Sequence, residues 1–315
     1  MTAESRKHQQ GADGCPLARA RSRIPRAGAA LLPALLLAGC MDHYLLHPRW
    51  PPPGSQSWSE VAVDGDLQVR LEWVRPAGPG PLPAVIVHPE AGHQAAEMRG
   101  VLHDLAEAGY LAVAADYRRR AGGRWRKSLF PWRDPADARR VIDRVRAHPD
   151  VDARRIGLLG FSQGGVFSLL IAAYDGGAAA VVAYYPVTDF ENWLEGAGAG
   201  LGRRLAFRFI RAGFRRASGA RSDAELQALL RRASPLRQVE SLEAPVLLVH
   251  GDRDRSASVE ESRRLAQRLA ELGRPIELLL IPAAGHVFNF RDRHQARLAW
   301  DATLAFLERH LRPPA

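Results

Sequence analysis

The chain has 315 residues and a net charge of +10, and 42 of its 44 basic residues are arginine, Lys7 and Lys127 being the exceptions. Such lopsided arginine use reads as the codon bias of a GC-rich genome, and no zinc, phosphate-loop or RNA-binding motif supports a nucleic-acid partner. The only cysteines are Cys15 and Cys40. If Cys15 is removed by processing, the mature chain forms no internal disulfide.

The N-terminus carries the first signal. Arg19, Arg21, Arg23 and Arg26 precede an apolar run from Ala27 to Ala38, which ends in Gly39-Cys40. A basic region, a short apolar stretch and small residues at the cut describe a secretory signal peptide over 1–39. The run is too short to cross a bilayer of about 30 Å as a helix. Leu37-Ala38-Gly39-Cys40 resembles the bacterial lipobox, which implies an acylated Cys40 as the first mature residue and an exported, membrane-anchored protein. Met41 in place of Asp then implies the periplasmic face of the outer membrane in a Gram-negative cell. Removing 1–39 lowers the net charge to about +6. The polar, Pro-rich stretch up to residue 57 reads as a tether, leaving 58–315 for a single catalytic domain with a large core.

Strands and helical stretches then alternate. Val61–Val63 and Leu67–Val74 form a hairpin about Asp64-Gly65. Pro83–His88 is a strand, and Pro89-Glu90-Ala91-Gly92-His93 is the loop after it. Arg155–Gly160 is a short buried strand and Val166–Tyr174 a buried helix. Between them stands Gly160-Phe161-Ser162-Gln163-Gly164-Gly165, with glycines two residues either side of the serine. That pattern makes a sharp strand-to-helix turn which holds the Ser162 hydroxyl clear of the sheet edge.

After the strand Ala180–Tyr184, residues 190–233 read as a helical insertion. Within it Arg204, Arg208, Arg211 and Arg215 recur at helical spacing, with Leu205, Phe209, Ile210 and Phe214 on the other side. Phe207, Phe209, Ile210 and Phe214 are candidates to line an acyl pocket. The arginine face is either a solvated surface, a contact for anionic headgroups, or a means of steering anionic substrates.

Pro245–His250 is the next strand, followed by Gly251-Asp252-Arg253-Asp254, and Val259–Leu272 has helical period. Ile276–Ile281 is the last strand, followed by Pro282-Ala283-Ala284-Gly285-His286. The final helix, Gln295–Leu311, carries an apolar stripe of Leu298, Ala302, Ala305 and Phe306 expected to cover the sheet.

A serine needs a base and the base an orienting acid. His286 is the candidate base, because it follows the last strand beside a glycine that frees its loop. His88, His93, His250 and His294 are expected at the surface or in packing roles. The acid is Asp252 or Asp254. Asp254 is preferred, since Asp252 directly follows Gly251 and suits hydrogen-bonding of the turn's own backbone. The oxyanion donors are expected to be the Gln163 amide and, Pro89 having no N–H, the amide of Glu90 or Ala91, with Glu90 preferred. The Glu90 side chain is expected to be solvent-exposed.

Gly160-Phe161-Ser162-Gln163-Gly164-Gly165, Ser234-Pro235-Leu236, the run Ala244 to Asp254, and Ala284-Gly285-His286 resemble the catalytic domain of the prolyl oligopeptidase (S9) serine peptidases in motif, order and spacing. The stretch Pro83 to Arg118, with Gly109-Tyr110 and Asp116-Tyr117-Arg118, is similar to both that family and the dienelactone-hydrolase-like proteins. The resemblance implies an α/β-hydrolase fold with a mostly parallel, doubly wound sheet and a cap over residues 190–233. It puts the family's nucleophile, acid and base on Ser162, Asp254 and His286. The oxyanion loop departs from the Gly-rich or Tyr-containing family form. The β-propeller of the oligopeptidases is missing too, since at least four blades of about 40 residues each do not fit between Cys40 and the first core strand. The expected protein is therefore a cofactor-free serine hydrolase acting on small esters or short peptides, with the esterase slightly favoured. The alternatives are an S9-type peptidase or a non-catalytic lipoprotein on a hydrolase fold.

Overall fold

Several apolar runs have no polar alternation, which is the pattern of strands buried on both faces of a parallel sheet. In the computed structural model, which describes residues 47, 50–64, 67–116, 135–195 and 201–312, these runs are the central strands. The signal peptide, Cys40, the tether residues 41–46, 48 and 49, and Gly65, Tyr117 and Arg118 lie outside the described residues.

The strands are β1 (Gln56–Asp64), β2 (Leu67–Arg75), β3 (Leu82–His88), β4 (Leu111–Ala115), β5 (Val151–Phe161), β6 (Ala180–Tyr184), β7 (Val246–Gly251) and β8 (Ile276–Ile281). They form one sheet in the order β1-β2-β4-β3-β5-β6-β7-β8. β1 and β2 pair antiparallel, β2 is antiparallel to β4, and the other pairs are parallel. β1 starts at Gln56, inside the stretch assigned to the tether, and β5 starts four residues before Arg155.

The described helices are α1 (Arg99–Glu107), α2 (Pro135–Arg146), α3 (Gln163–Asp175), α4 (Phe190–Glu195), α5 (Leu201–Ser218), α6 (Asp223–Arg232), α7 (Val259–Glu271) and α8 (Arg293–Leu311). Val101, Leu102 and Leu105 of α1 and Trp300, Phe306 and Leu307 of α8 share one buried cluster with one face of the sheet. Ile142 and Val145 of α2, Leu169 of α3, and Leu265 and Leu269 of α7 pack on the other face. Each such side chain, fully buried, contributes about 1.5–3 kcal/mol. The fold is thus a helix-sheet-helix sandwich of the doubly wound kind.

From β3 the chain first crosses to β4 on one side and later returns past β3 to β5 on the other. A reversal of this kind opens a crevice at the carboxyl ends of the two strands. The loops that carry Glu90 and Ser162 leave from there.

The last helix forms where expected but rotated. Leu298 is 43% exposed, while Ala296, Ala299, Trp300, Thr303, Phe306, Leu307 and Leu311 are buried. Of the other residues expected in the stripe, Phe306 is buried, Ala302 is half-buried and Ala305 is exposed. The phase containing Trp300, Leu307 and Leu311 removes more apolar area from water and prevails.

Between β6 and β7, helices α4, α5 and α6 form a small core of their own. Phe190, Leu194, Phe207, Phe214, Leu226 and Leu230 cluster with Val166 and Leu170 of α3. Phe209 does not belong to the apolar side. It is 72% exposed. At about 100° per residue, Phe207 and Phe214 fall within about 20° of each other and Phe209 lies on the opposite side. Phe207 and Phe214 are spent on the packing of the cap itself.

Candidate active site

Ser162 is the hinge of the β5–α3 turn. It has φ 50° and ψ −111°, a conformation L-residues rarely adopt. Its amide donates to the Tyr184 carbonyl at 2.9 Å. The flanking glycines are required by close approach. A Cβ on Gly160 would drive into the backbone of Gly164, and one on Gly164 into the carbonyls of His88 and Pro89. The turn therefore packs directly against the end of β3, which brings the Glu90 loop to the serine.

The acid and base arrive on two neighbouring loops after β7 and β8. The Asp252 amide donates to the Ile281 carbonyl at 3.1 Å and the Arg253 amide to the Ala284 carbonyl at 2.9 Å. Gly251 leaves room for that approach, since a Cβ there would strike the Ala284 carbonyl. His286 Nε2 lies 3.1 Å from Ser162 Oγ, and its Nδ1 lies 2.6 Å from Asp254 Oδ2. With the Nδ1 proton held by the carboxylate, Nε2 presents a lone pair to the serine hydroxyl. The Tyr185 ring and the imidazole pack in a T-shaped arrangement with centroids 4.7 Å apart, and Tyr185 itself has φ 40°.

Asp254 also performs the turn-binding task expected of Asp252. Its Oδ1 accepts from the amides of Ser256 at 2.7 Å and Ala257 at 3.0 Å, leaving Oδ2 for His286. Asp252 is exposed. Burial works to raise the Asp254 carboxyl, but the hydrogen bonds from His250 and His286 hold it well below the usual carboxylate range.

Of the histidines expected at the surface or in packing roles, His88 and His93 are buried and His294 is exposed. His88 Nδ1 sits 3.0 Å from Ser168 Oγ, and burial lowers its pKa to about 4. His250 also bears on the acid. It is fully buried, with Nε2 3.0 Å from the Ala257 carbonyl and 3.4 Å from Asp254 Oδ2. Its position at the end of a strand four residues before the acid was the one sequence signal of that contact.

Gln163 begins α3 directly after the nucleophile, so its amide lies at a helix N-terminus where negative charge is favoured. Glu90 differs from expectation. Its side chain is buried, with Oε1 3.2 Å from His93 Nε2, because the loop folds back under Gly164 rather than out into water. Burial, reinforced by the charge of Glu97, pushes its pKa up to about 8. The folded protein therefore binds this proton more tightly than the unfolded chain does. Stability from this group is present at mildly acidic pH and declines as pH rises from about 5 to about 8. Urea unfolding across that range is expected to show this loss in the natural protein and a flatter profile in Glu90→Gln.

The comparisons with known proteins bear on the family and the fold. The family model described as "Dienelactone hydrolase family" matches residues 70–311. The chain belongs to the dienelactone hydrolase family. Among curated relatives of this family member, an uncharacterized peptidase of Bacillus subtilis, YtmA, is 27% identical over 252 residues, covering 78% of the chain and 93% of the relative. A thermophilic esterase of Thermogutta terrifontis, Est2, superposes with TM-score 0.61 at 22% identity, covering 82% of the chain and 94% of the esterase. An acylaminoacyl peptidase of Pyrococcus horikoshii superposes with TM-score 0.66 at 19% identity, covering 83% of the chain but 42% of the peptidase. At those identities the two structures bear on the fold alone, which is that of α/β-hydrolases. The family makes this chain a hydrolase of the esterase and peptidase kind.

Proposed function

We propose that the chain is a serine hydrolase that acts through an acyl-enzyme on small esters or short peptides, with esters preferred. The observation that carries this reading is the unbroken contact chain from Ser162 Oγ through His286 to the buried Asp254 carboxylate. Ser162 Oγ attacks the acyl carbonyl carbon as its proton passes to His286 Nε2. The oxyanion so formed is stabilised by the Gln163 amide and the Glu90 amide. His286 returns the proton to the leaving group as the acyl bond breaks. Water then attacks the acyl-enzyme, giving one proton to His286, which passes it to Ser162 Oγ as the acyl–oxygen bond breaks and the carboxylic acid departs. Throughout, Asp254 holds the imidazole in the required tautomer and balances its charge.

Membership of the dienelactone hydrolase family and the better leaving groups of esters support the ester preference. The printed name of the B. subtilis relative supports the peptidase reading instead. A higher kcat/KM for short-chain p-nitrophenyl esters than for matched aminoacyl or dipeptidyl p-nitroanilides is expected. Peptidases also cleave activated esters, so the decisive outcome is on the amide side: robust anilide cleavage with a sharp preference at one residue would establish the peptidase reading.

For location, we propose an exported protein anchored through acylated Cys40, supported by Leu37-Ala38-Gly39-Cys40 behind its basic and apolar runs. Several acyl chains on one residue hold a domain at a bilayer where a single chain gives marginal binding. In cell fractions, Cys40→Ser is expected to move the protein from membrane to soluble or leave it unprocessed. A native N-terminus found upstream of Cys40 by intact mass would contradict the anchor.

A further inference from the structure

His250 has an imidazole with no exposed surface, at the end of a strand beside the catalytic loops. Burying a side chain with two polar nitrogens is costly unless both are satisfied. Both are, and their partners are informative. Nδ1 lies 2.7 Å from the hydroxyl of Ser262, which is itself buried on α7. Nε2 faces two acceptors, the Ala257 carbonyl at 3.0 Å and Asp254 Oδ2 at 3.4 Å. A nitrogen facing two acceptors carries the proton, so Nδ1 accepts from the Ser262 hydroxyl. The two acceptors fix the tautomer that points a donor at the acid loop, and the Ser262 hydroxyl, donating to Nδ1, holds the ring in that orientation.

We propose that His250 is a positioning residue for the catalytic acid, holding the Asp254 carboxylate and its loop in the orientation that His286 requires; this rests on the triad reading above. Asp254 meets four donors. Ser256 and Ala257 amides hold Oδ1, while His286 and His250 share Oδ2. The two amides alone leave the carboxylate free to swing about Oδ1. His250 removes that freedom twice, by attracting Oδ2 and by tying the Ala257 carbonyl, whose own amide binds Oδ1, to the rigid end of β7. Among the described residues, the titratable side chains in contact with Asp254 are His250 at the end of β7 and His286 in the loop after β8. α7 contributes Ser262 behind His250, and Tyr185 after β6 braces His286. The arrangement extends the contact chain to Ser262–His250–Asp254–His286–Ser162.

The test compares His250→Leu, His250→Gln and Ser262→Ala with the natural protein in the full chain. Each rate is normalised to active sites titrated by a fluorophosphonate. His250→Leu fills the space without a donor, whereas the amide of His250→Gln can reproduce the Nε2 donor. The expected result is a kcat roughly 10- to 100-fold lower in His250→Leu, with KM little changed and most of the rate restored in His250→Gln. The low-field proton resonance of the His286 Nδ1–Asp254 bond should move upfield in His250→Leu and return in His250→Gln. A role confined to folding would reduce the titrated fraction while leaving kcat per site and that resonance as in the natural protein, and this outcome overturns the proposal. A folded His250→Gln no better than His250→Leu does the same. If His250→Leu does not fold, Ser262→Ala supplies the reading, with the same fall in kcat expected and an unchanged kcat overturning it. Failure of the triad reading is separable, because the natural protein would then take up no fluorophosphonate.

Discussion

Ser162→Ala is expected to abolish hydrolysis of an activated ester while leaving the protein folded. The hydroxyl is the atom that bonds to the acyl carbon, so its loss removes the covalent route and leaves binding and oxyanion stabilisation alone. The expected cost is on the order of 10⁴-fold or more in kcat. Folding should survive, because alanine occupies the φ 50° turn no worse than serine does and the Ser162 amide keeps its bond to Tyr184. Circular dichroism and a thermal melt verify the fold. Labelling by a serine-directed phosphonate verifies the chemistry, and a Ser162→Ala protein that still labels would remove Ser162 from the mechanism.

Asp254→Asn is the second large effect, and it is expected to exceed Asp252→Asn by orders of magnitude. Asp254 Oδ2 holds the Nδ1 proton of His286 at 2.6 Å, and an amide placed there presents either a donor or a weaker acceptor. In the donor orientation it stabilises the wrong tautomer and takes the lone pair away from Ser162. A fall in kcat of about 10⁴-fold is expected for such a change. Asp252 is exposed, and its tie to the Ile281 carbonyl runs through its main-chain amide, so Asp252→Asn should be nearly silent. Equal losses in the two variants, or a larger loss at Asp252, would show that the acid is misassigned.

Much of the fold was legible because its signals are local. The strand Ala180–Tyr184 and the strand Ile276–Ile281 match the structure at both ends, since turn residues or charges bound them. The helix beginning at Val259 is introduced by Ser258, whose side chain accepts from the Glu260 amide. The candidate site was legible for a related reason. A nucleophile turn needs glycines at set offsets, and the acid and base follow successive strands, so order along the chain carries information about position in space. Phe306 and Phe214 face inward as expected, but other assignments of which side of an element faces a neighbour failed. Leu298 and Phe209 were assigned to buried faces and are exposed, Glu90 was expected in water and is buried, and the turn-binding job given to Asp252 belongs to Asp254.

The amino-acid sequence by itself determined the class of sheet, the turn at Ser162, and the succession Ser162, Asp254, His286, because backbone conformation and chain order are written in neighbouring residues. Only the tertiary structure decided how the side chains are spent. The apolar stripe of α8 has two readings until Trp300 finds the core, and a carboxylate in the loop after β3 is ordinary until Gly164 admits that loop beneath the nucleophile turn. His250 is the clearest case. In the chain it is a histidine at a strand end, and it becomes a brace for Asp254 only when α7 brings Ser262 to its far side. The physical reason is that burial and hydrogen-bond satisfaction are set by contacts between residues distant in sequence, which no local pattern encodes.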